Sequence, residues 1–183
     1  SVQYEYGIMP YDHHVNTSLK QVAGAILLEV KSDLSSNIEQ FCKSLSTTPA
    51  KFLFAVLMFL LHKYDRRDEF TVGNVISHRY RKEYENTIGC FIDTVPIHVR
   101  VRQGLTLEQY LSSVSELLDE SYHSTKDLNA EDFKFVFAYH ELSRFVSNLK
   151  AADTSCEFML MPNQVPKFDI LFNIENYADN TVI

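Results

Sequence analysis

The chain has 183 residues, 45% of them hydrophobic and 22% charged, with five glycines, five prolines, three cysteines and no tryptophan. At about 100–200 residues per domain, that length holds one globular domain with its own core, and the hydrophobic fraction excludes a disordered chain. Seventeen Lys and Arg against twenty-four Asp and Glu leave a net charge of −7, which gives no electrostatic drive toward nucleic acid or anionic membrane.

Residues 1–21 are polar and irregular, contain Pro10 and the pair His13-His14, and read as a segment lying over the surface. They hold no basic stretch followed by an apolar run and no initiating Met, which argues against a signal peptide and fits an excised piece. Residues 22–30 (VAGAILLEV) are apolar and bounded by charge, the pattern of a strand buried on both faces. Leu34, Ile38, Phe41 and Leu45 then recur at helical spacing, with Ser36 and Glu39 placed as a capping box. Thr48 before Pro49 supplies an N-cap and a first helical position. The segment they open runs to Tyr64 and is apolar nearly all round, as a central helix requires. Its most apolar stretch, residues 52–61, is far short of the roughly 20 residues a spanning helix needs. Asp65, Arg66, Arg67 and Asp68 end it.

Residues 70–77 read as a strand. From Val95 to Val101 the apolar positions alternate with Pro96, His98 and Arg100, the period of a half-buried strand, and Pro96 assigns it to an edge or a bulge. Gly104 precedes a second capping box, Thr106 with Gln109, and a helix carrying Leu107, Leu111, Val114 and Leu118 on one face. Residues 130–149 read as helical again, with Phe133, Phe137 and Leu142 among the apolar positions. Residues 150–167 read as a loop, and residues 168–174 as a closing strand. Helices interspersed with strands predict an α/β two-layer sandwich, a mixed sheet with helices packed on it.

Chemical motifs are sparse. Neither G-x-G-x-x-G nor G-x-x-x-x-G-K-[ST] occurs, so a nucleotide site has no support. Cys42, Cys90 and Cys156 are far apart, with no C-x-x-C pair, which fits reduced thiols of a cytoplasmic protein. Cys90, between Gly89 and Phe91, reads as a buried structural thiol rather than a nucleophile. His13-His14 has the residue type of a general base, but with no acid at a useful offset the solvated or structural reading prevails. The remaining histidines show no metal-ligand spacing, and no G-x-S-x-G turn occurs. The basic stretch 78–82 is followed at once by Glu83 and Glu85, so most of its charges read as solvated or ion-paired.

Residues 70–79 (FTVGNVISHR) followed by residues 87–100 (TIGCFIDTVPIHVR) resemble the condensation domains of nonribosomal peptide synthetases, whose C-terminal halves carry G-x-P-x-x-x-R and then I-G-x-F-V-N-T-x-P-x-R. Gly73 and Arg79 match the first motif, with Val75 in place of its Pro. Ile88, Gly89, Phe91, Thr94 and Pro96 match the second, with Asp93 where the family usually has Asn and His98 where it usually has Arg. Residues 8–12 (IMPYD) look like the family's L-P-x-D, Thr48-Pro49 with its helix like the segment before the first motif, and residues 168–176 like its closing F-x-x-x-F-x-x-x-N strand. His123 keeps the first position of [H/N]-Q-D-x-P-F-E. The catalytic H-H-x-x-x-D-G is absent, because Ser18 and Leu19 follow His13-His14 at its Asp and Gly positions.

The resemblance implies that residues 1–183 are a single C-terminal lobe of a chloramphenicol-acetyltransferase-like fold, without the N-terminal lobe that carries the catalytic histidines. It implies a part in amide-bond formation between carrier-protein-bound aminoacyl or peptidyl thioesters. No catalytic residue and no metal are then expected in this chain, and the phosphopantetheine is carried by the partner carrier proteins. Arg79, Gly73, Asp93 and Thr94 would support the active site, Arg79 by pairing with the Asp of the missing motif. Gly89, Phe91, Ile92, Pro96, His98 and His123 would line the tunnel or the lobe interface. The implied partners are carrier proteins, the N-terminal lobe and adjacent synthetase domains, with self-association through an exposed lobe face. A catalytically inactive lobe that docks carrier proteins, through local basic residues such as Arg66-Arg67 or Arg79, Arg81 and Lys82, is the alternative. A related ester-forming or epimerising acyltransferase is a third reading.

Overall fold

Two helices begin where local chemistry says they must. Thr48 Oγ1 accepts a hydrogen bond from the Lys51 amide at 3.3 Å and Pro49 occupies the first turn, where its missing N–H has no partner to lose. Thr106 and Gln109 complete a reciprocal box: Thr106 Oγ1 accepts from the Gln109 amide, and Gln109 Oε1 accepts from the Thr106 amide. In the computed structural model, which describes residues 22–79, 82–84, 86–122, 134–142, 165–177 and 181–183, these caps open α2 (Pro49–Asp65) and α3 (Leu107–Ser121). Arg66, in the left-handed conformation at φ 58°, stops α2 and returns its amide to the His62 carbonyl. Helix α1 (Ser32–Ser44) starts four residues before the predicted capping box, on Lys31, with no side-chain cap. Ser36 and Glu39 therefore lie inside it.

The strands, in chain order, are β1 (Glu29–Val30), β2 (Glu69–Ser77), β3 (Ile92–Arg100), β4 (Phe135–Glu141), β5 (Ile170–Asn176) and β6 (Thr181–Val182). They form one sheet in the order β1-β6-β5-β4-β2-β3. β4 runs parallel to both its neighbours; the other pairs are antiparallel. This is the predicted α/β arrangement of helices on a mixed sheet. Alternation along the strands presents Phe70, Val72, Ile76, Val95, Ile97, Val99, Phe135, Phe137 and Ile174 to the core, where Phe54, Met58 and Leu61 of α2 and Leu111, Val114 and Leu118 of α3 meet them. Phe54 and Phe137 touch edge to face at 5.2 Å between centroids. Burying each such side chain contributes about 1.5–3 kcal/mol. Tyr110 O–H donates to the Ala55 carbonyl and Lys51 pairs with Asp119 at 2.8 Å, which ties α3 to α2.

Four further expectations change. Within residues 130–149, residues 135–141 form a strand, because an apolar run covered on both faces has no period of its own and two parallel neighbours supply its hydrogen bonds. Residues 22–28 are not a doubly buried strand: only Glu29–Val30 enters the sheet, and Ile26 is 85% exposed. Cys90 is exposed, since its backbone lies in a surface loop, whereas Cys42 is buried and its thiol is pushed up by burial and then by Glu39. Leu107 lies at the open end of α3 and is exposed, unlike Leu111, Val114 and Leu118. On α2, Val56, Phe59, Leu60 and Tyr64 form an exposed apolar stripe. Among the described residues, no single helix is long and apolar enough to cross a membrane. The segment 1–21 with His13-His14, Arg81, His123, Phe133 and Cys156 lie outside the described residues.

Candidate functional site

Strand β2 ends at Ser77 and β3 begins opposite it at Ile92, so the residues between them form a loop at one end of the sheet. The His78 amide donates to the Phe91 carbonyl at 2.8 Å and closes the neck of that loop. Of its described residues, Lys82–Tyr84 form a short 3-10 helix and residues 86–91 pair with no strand, so backbone carbonyls there need other donors. Arg79 supplies them. Its Nη1 donates to the carbonyls of Tyr84 at 2.7 Å and Thr87 at 2.8 Å, and its Nη2 to that of Gly89 at 2.8 Å. The guanidinium also lies 4.4 Å from the centroid of the Phe91 ring, which stacks on Tyr84 at 5.1 Å. Three of the five guanidinium donors are engaged in this way.

Glycine is required at position 89. Its φ of +155° is one that L side chains rarely adopt, and a Cβ there would lie 3.3 Å from Phe91 Cε2, which would push the ring by a few tenths of an ångström. Toward β3 the loop's surface is apolar: Ile88 is fully exposed, Ile92 is 61% exposed, and Cys90 is exposed between them. Asp93 follows, with Oδ1 accepting from the Thr94 amide at 2.7 Å and Oδ2 3.4 Å from His78 Nε2.

Arg79, Gly89 and Phe91 are therefore in direct contact, and Ile92, Asp93 and Thr94 adjoin them. Gly73 and Pro96 sit opposite one another farther along β2 and β3, on the sheet face turned away from α2 and α3. Pro96 lies in an edge strand, where its missing donor is tolerated. His98 shares that face but is six positions from Ile92, roughly 20 Å at 3.4 Å per residue. It belongs to a different cluster, with Nδ1 3.2 Å from Thr71 Oγ1 and Nε2 3.7 Å from Glu69, which also binds Arg100 at 2.6 Å. Arg67, one of the residues weighed as a docking cation, is paired with Asp65.

Sequence reasoning missed Tyr84 and Thr87, because the Arg79 contacts use their carbonyls, which every residue possesses. It also missed the His78–Asp93 contact, whose only trace is the departure from Asn at position 93. A cavity lined by Ser35, Glu39, Tyr139, Asn176 and Thr181 opens at the other edge of the sheet and includes none of the residues assigned above to the active site, the tunnel or the lobe interface. Chemically, the β2–β3 loop is a positioning device: it fixes a cation, a ring stack and an apolar surface relative to one another.

A family model described as Condensation domain matches residues 9–133. Bacitracin synthase 1 of Bacillus licheniformis is 22% identical over 192 residues, a match covering 95% of this chain and 4% of that protein. Among solved structures, a four-domain nonribosomal peptide synthetase bound to AMP and glycine aligns with a TM-score of 0.72 at 18% identity, over 98% of this chain and 16% of its own. The condensation domain of the Monacolin K polyketide synthase MokA aligns with a TM-score of 0.70 at 14% identity, over 95% of this chain and 43% of its own. The chain thus spans a small part of the curated synthetase it matches and less than half of a condensation domain solved on its own.

Proposed function

The chain belongs to the condensation-domain family, and from that premise we propose that it is the C-terminal lobe of a nonribosomal peptide synthetase condensation domain, lining the channel in which an amide bond forms between two carrier-bound thioesters. The observation that carries this reading is the alignment, over 95% of this chain, with a condensation domain of which it covers 43%. In the reaction, the acceptor amine nitrogen attacks the donor thioester carbonyl. The C–N bond forms, the C–S bond breaks, the thiol of the donor's phosphopantetheine arm leaves, and the amine gives up a proton. The base that steers or accepts that proton belongs to the H-H-x-x-x-D-G motif of the complementing lobe.

This chain contributes a wall. Ile88 and Ile92 offer an apolar lip on which the complementing lobe sits, and the exposed stripe of α2 offers a second apolar surface for association. Arg79 keeps its Nε–H and second Nη2–H, beyond the three donors committed to carbonyls, as a fork that seats the Asp of that motif. Asp93 and Thr94 line the lip at the start of β3. The phosphopantetheine arms come with the carrier proteins, the remaining partners are the adjacent synthetase domains, and the assembly works in the cytoplasm.

The test is complementation. The chain is mixed with an N-terminal lobe carrying H-H-x-x-x-D-G and two loaded carrier proteins, and amide product is sought by mass spectrometry. Amide product is the expected result. A stable complex with carrier protein but no amide product would replace this reading with that of a docking module, and ester or epimerised product would assign another acyl transfer.

A further inference from the structure

Tyr84 and residues 86–91 gather round one side chain, that of Arg79. Within the loop, the Thr87 amide reaches the Tyr84 carbonyl at 3.2 Å and Thr87 Oγ1 donates to the Glu83 carbonyl at 2.9 Å, which closes only its first turn. The carbonyls of Tyr84, Thr87 and Gly89 instead converge on the Arg79 guanidinium, and the Phe91 ring lies across it. Those carbonyls belong to Tyr84, Thr87 and Gly89, so their convergence ties three separate points of the loop to one group. The result is that Ile88, with no packing of its own, is held fully in solvent. An exposed isoleucine on a floating loop would cost a partner the entropy of ordering it, whereas one on a braced loop is already placed.

We propose that Arg79 is a positioning residue that braces Tyr84 and residues 86–91 and thereby presents Ile88 as a preformed apolar contact for the complementing half of the domain. The bracing half of this inference stands on the chain alone; the contact half rests on the reading that this end of the sheet meets a second lobe. A lysine would keep the charge, but its single nitrogen reproduces neither the reach to three carbonyls nor the two-donor seat proposed for the Asp of that lobe, so the brace is read from loop exchange and the contact from Ile88.

Hydrogen exchange on the chain by itself tests the brace. Arg79→Lys is expected to speed exchange of the Thr87 amide, bonded to the Tyr84 carbonyl, and of the His78 amide at the neck about tenfold, as a local opening, while α2 and the β2–β3 ladder keep their protection. Phe91→Leu, which removes the ring but not the fork, is expected to give a smaller change in the same residues. Unchanged protection of the loop in Arg79→Lys would overturn the proposal, as would equal loss throughout β2 and β3. Complementation then tests the contact. Arg79→Lys and Ile88→Ser should each raise the concentration of complementing lobe needed for half-maximal association by about tenfold, the equivalent of about 1.4 kcal/mol. Ile88→Ser should do so without altering loop exchange. If Ile88→Ser leaves association unchanged, the contact half falls. Loss of amide formation in every variant and in the parent alike would sink the proposed function and leave the brace to be judged by exchange.

Discussion

The two edges of the sheet are built on opposite plans. At the β3 edge, nine residues pair in continuous register with β2, Val95, Ile97 and Val99 turn inward to the core, and Pro96 and the Arg100–Glu69–His98 cluster face outward. Proline and charge on an edge strand discourage further pairing, so this edge is finished within the chain. At the other edge, β1 contributes two residues, paired with the two of β6, and the apolar residues Ile26, Leu27 and Leu28 leading into it are exposed. What holds that edge is polar: Ser35 Oγ lies 2.9 Å from Thr181 Oγ1, which donates to Asn176 Oδ1, while Asn176 Nδ2 donates to Glu141. The contrast shows that apolar composition does not by itself secure burial. An alternating strand with a long partner buries half its residues; an uninterrupted apolar run with a short partner buries few of them.

The contrast can be broken at several points, in decreasing order of effect. Ile97→Ala empties a packed position behind β3 and should cost about 2–5 kcal/mol, read as a lower denaturant midpoint at unchanged slope. Thr181→Val leaves buried Asn176 Oδ1 without its donor and should cost about 1–3 kcal/mol. Its signature is faster exchange confined to β1, β5 and β6. Glu69→Gln removes the exposed pairs with Arg100 and His98, and should cost at most about 1 kcal/mol, an effect that fades as salt is raised. Ile26→Ser should change the stability of the isolated chain by no more than about 0.5 kcal/mol while reducing self-association measured by light scattering. A large loss of stability there would mean that the run is buried after all.

Alkaline pH probes the polar edge from a different side. Burial, and then the hydrogen bond to Glu175, push the Tyr177 phenol up to about 12. The folded chain thus holds a proton that the unfolded chain releases near its ordinary value of about 10. The stabilisation is complete below pH 10 and is lost as the pH climbs through the folded value near 12. Tyr177→Phe should flatten that part of the stability profile, and an unchanged alkaline limb would contradict the assignment.

Much of the β3 half was legible residue by residue. Thr48-Pro49 and the Thr106–Gln109 box mark helix starts through contacts three residues away, and the alternation from Val95 to Val101 marks a strand by its period. The other half was not. Residues 135–141 carry aromatic and small residues on both faces because the strand is central, and Phe133, Phe137 and Leu142 imitate a helical spacing. β6 is two residues long, too short to have a period. In the candidate site, Gly89, Phe91 and Arg79 were readable as parts of motifs, but nothing in their identities says that they touch one another.

By itself the sequence determined where α2 and α3 begin, which face of β3 is apolar, and an ordered set of motifs that identifies the family. These depend on contacts within a few residues or on patterns that persist along a segment. Only the tertiary structure decided that Arg79 spends its donors on the carbonyls of Tyr84, Thr87 and Gly89, that β4 lies between two parallel neighbours, and that Ile88 and Ile26 face solvent. Main-chain carbonyls are the same in every residue, and exposure depends on what the rest of the chain covers.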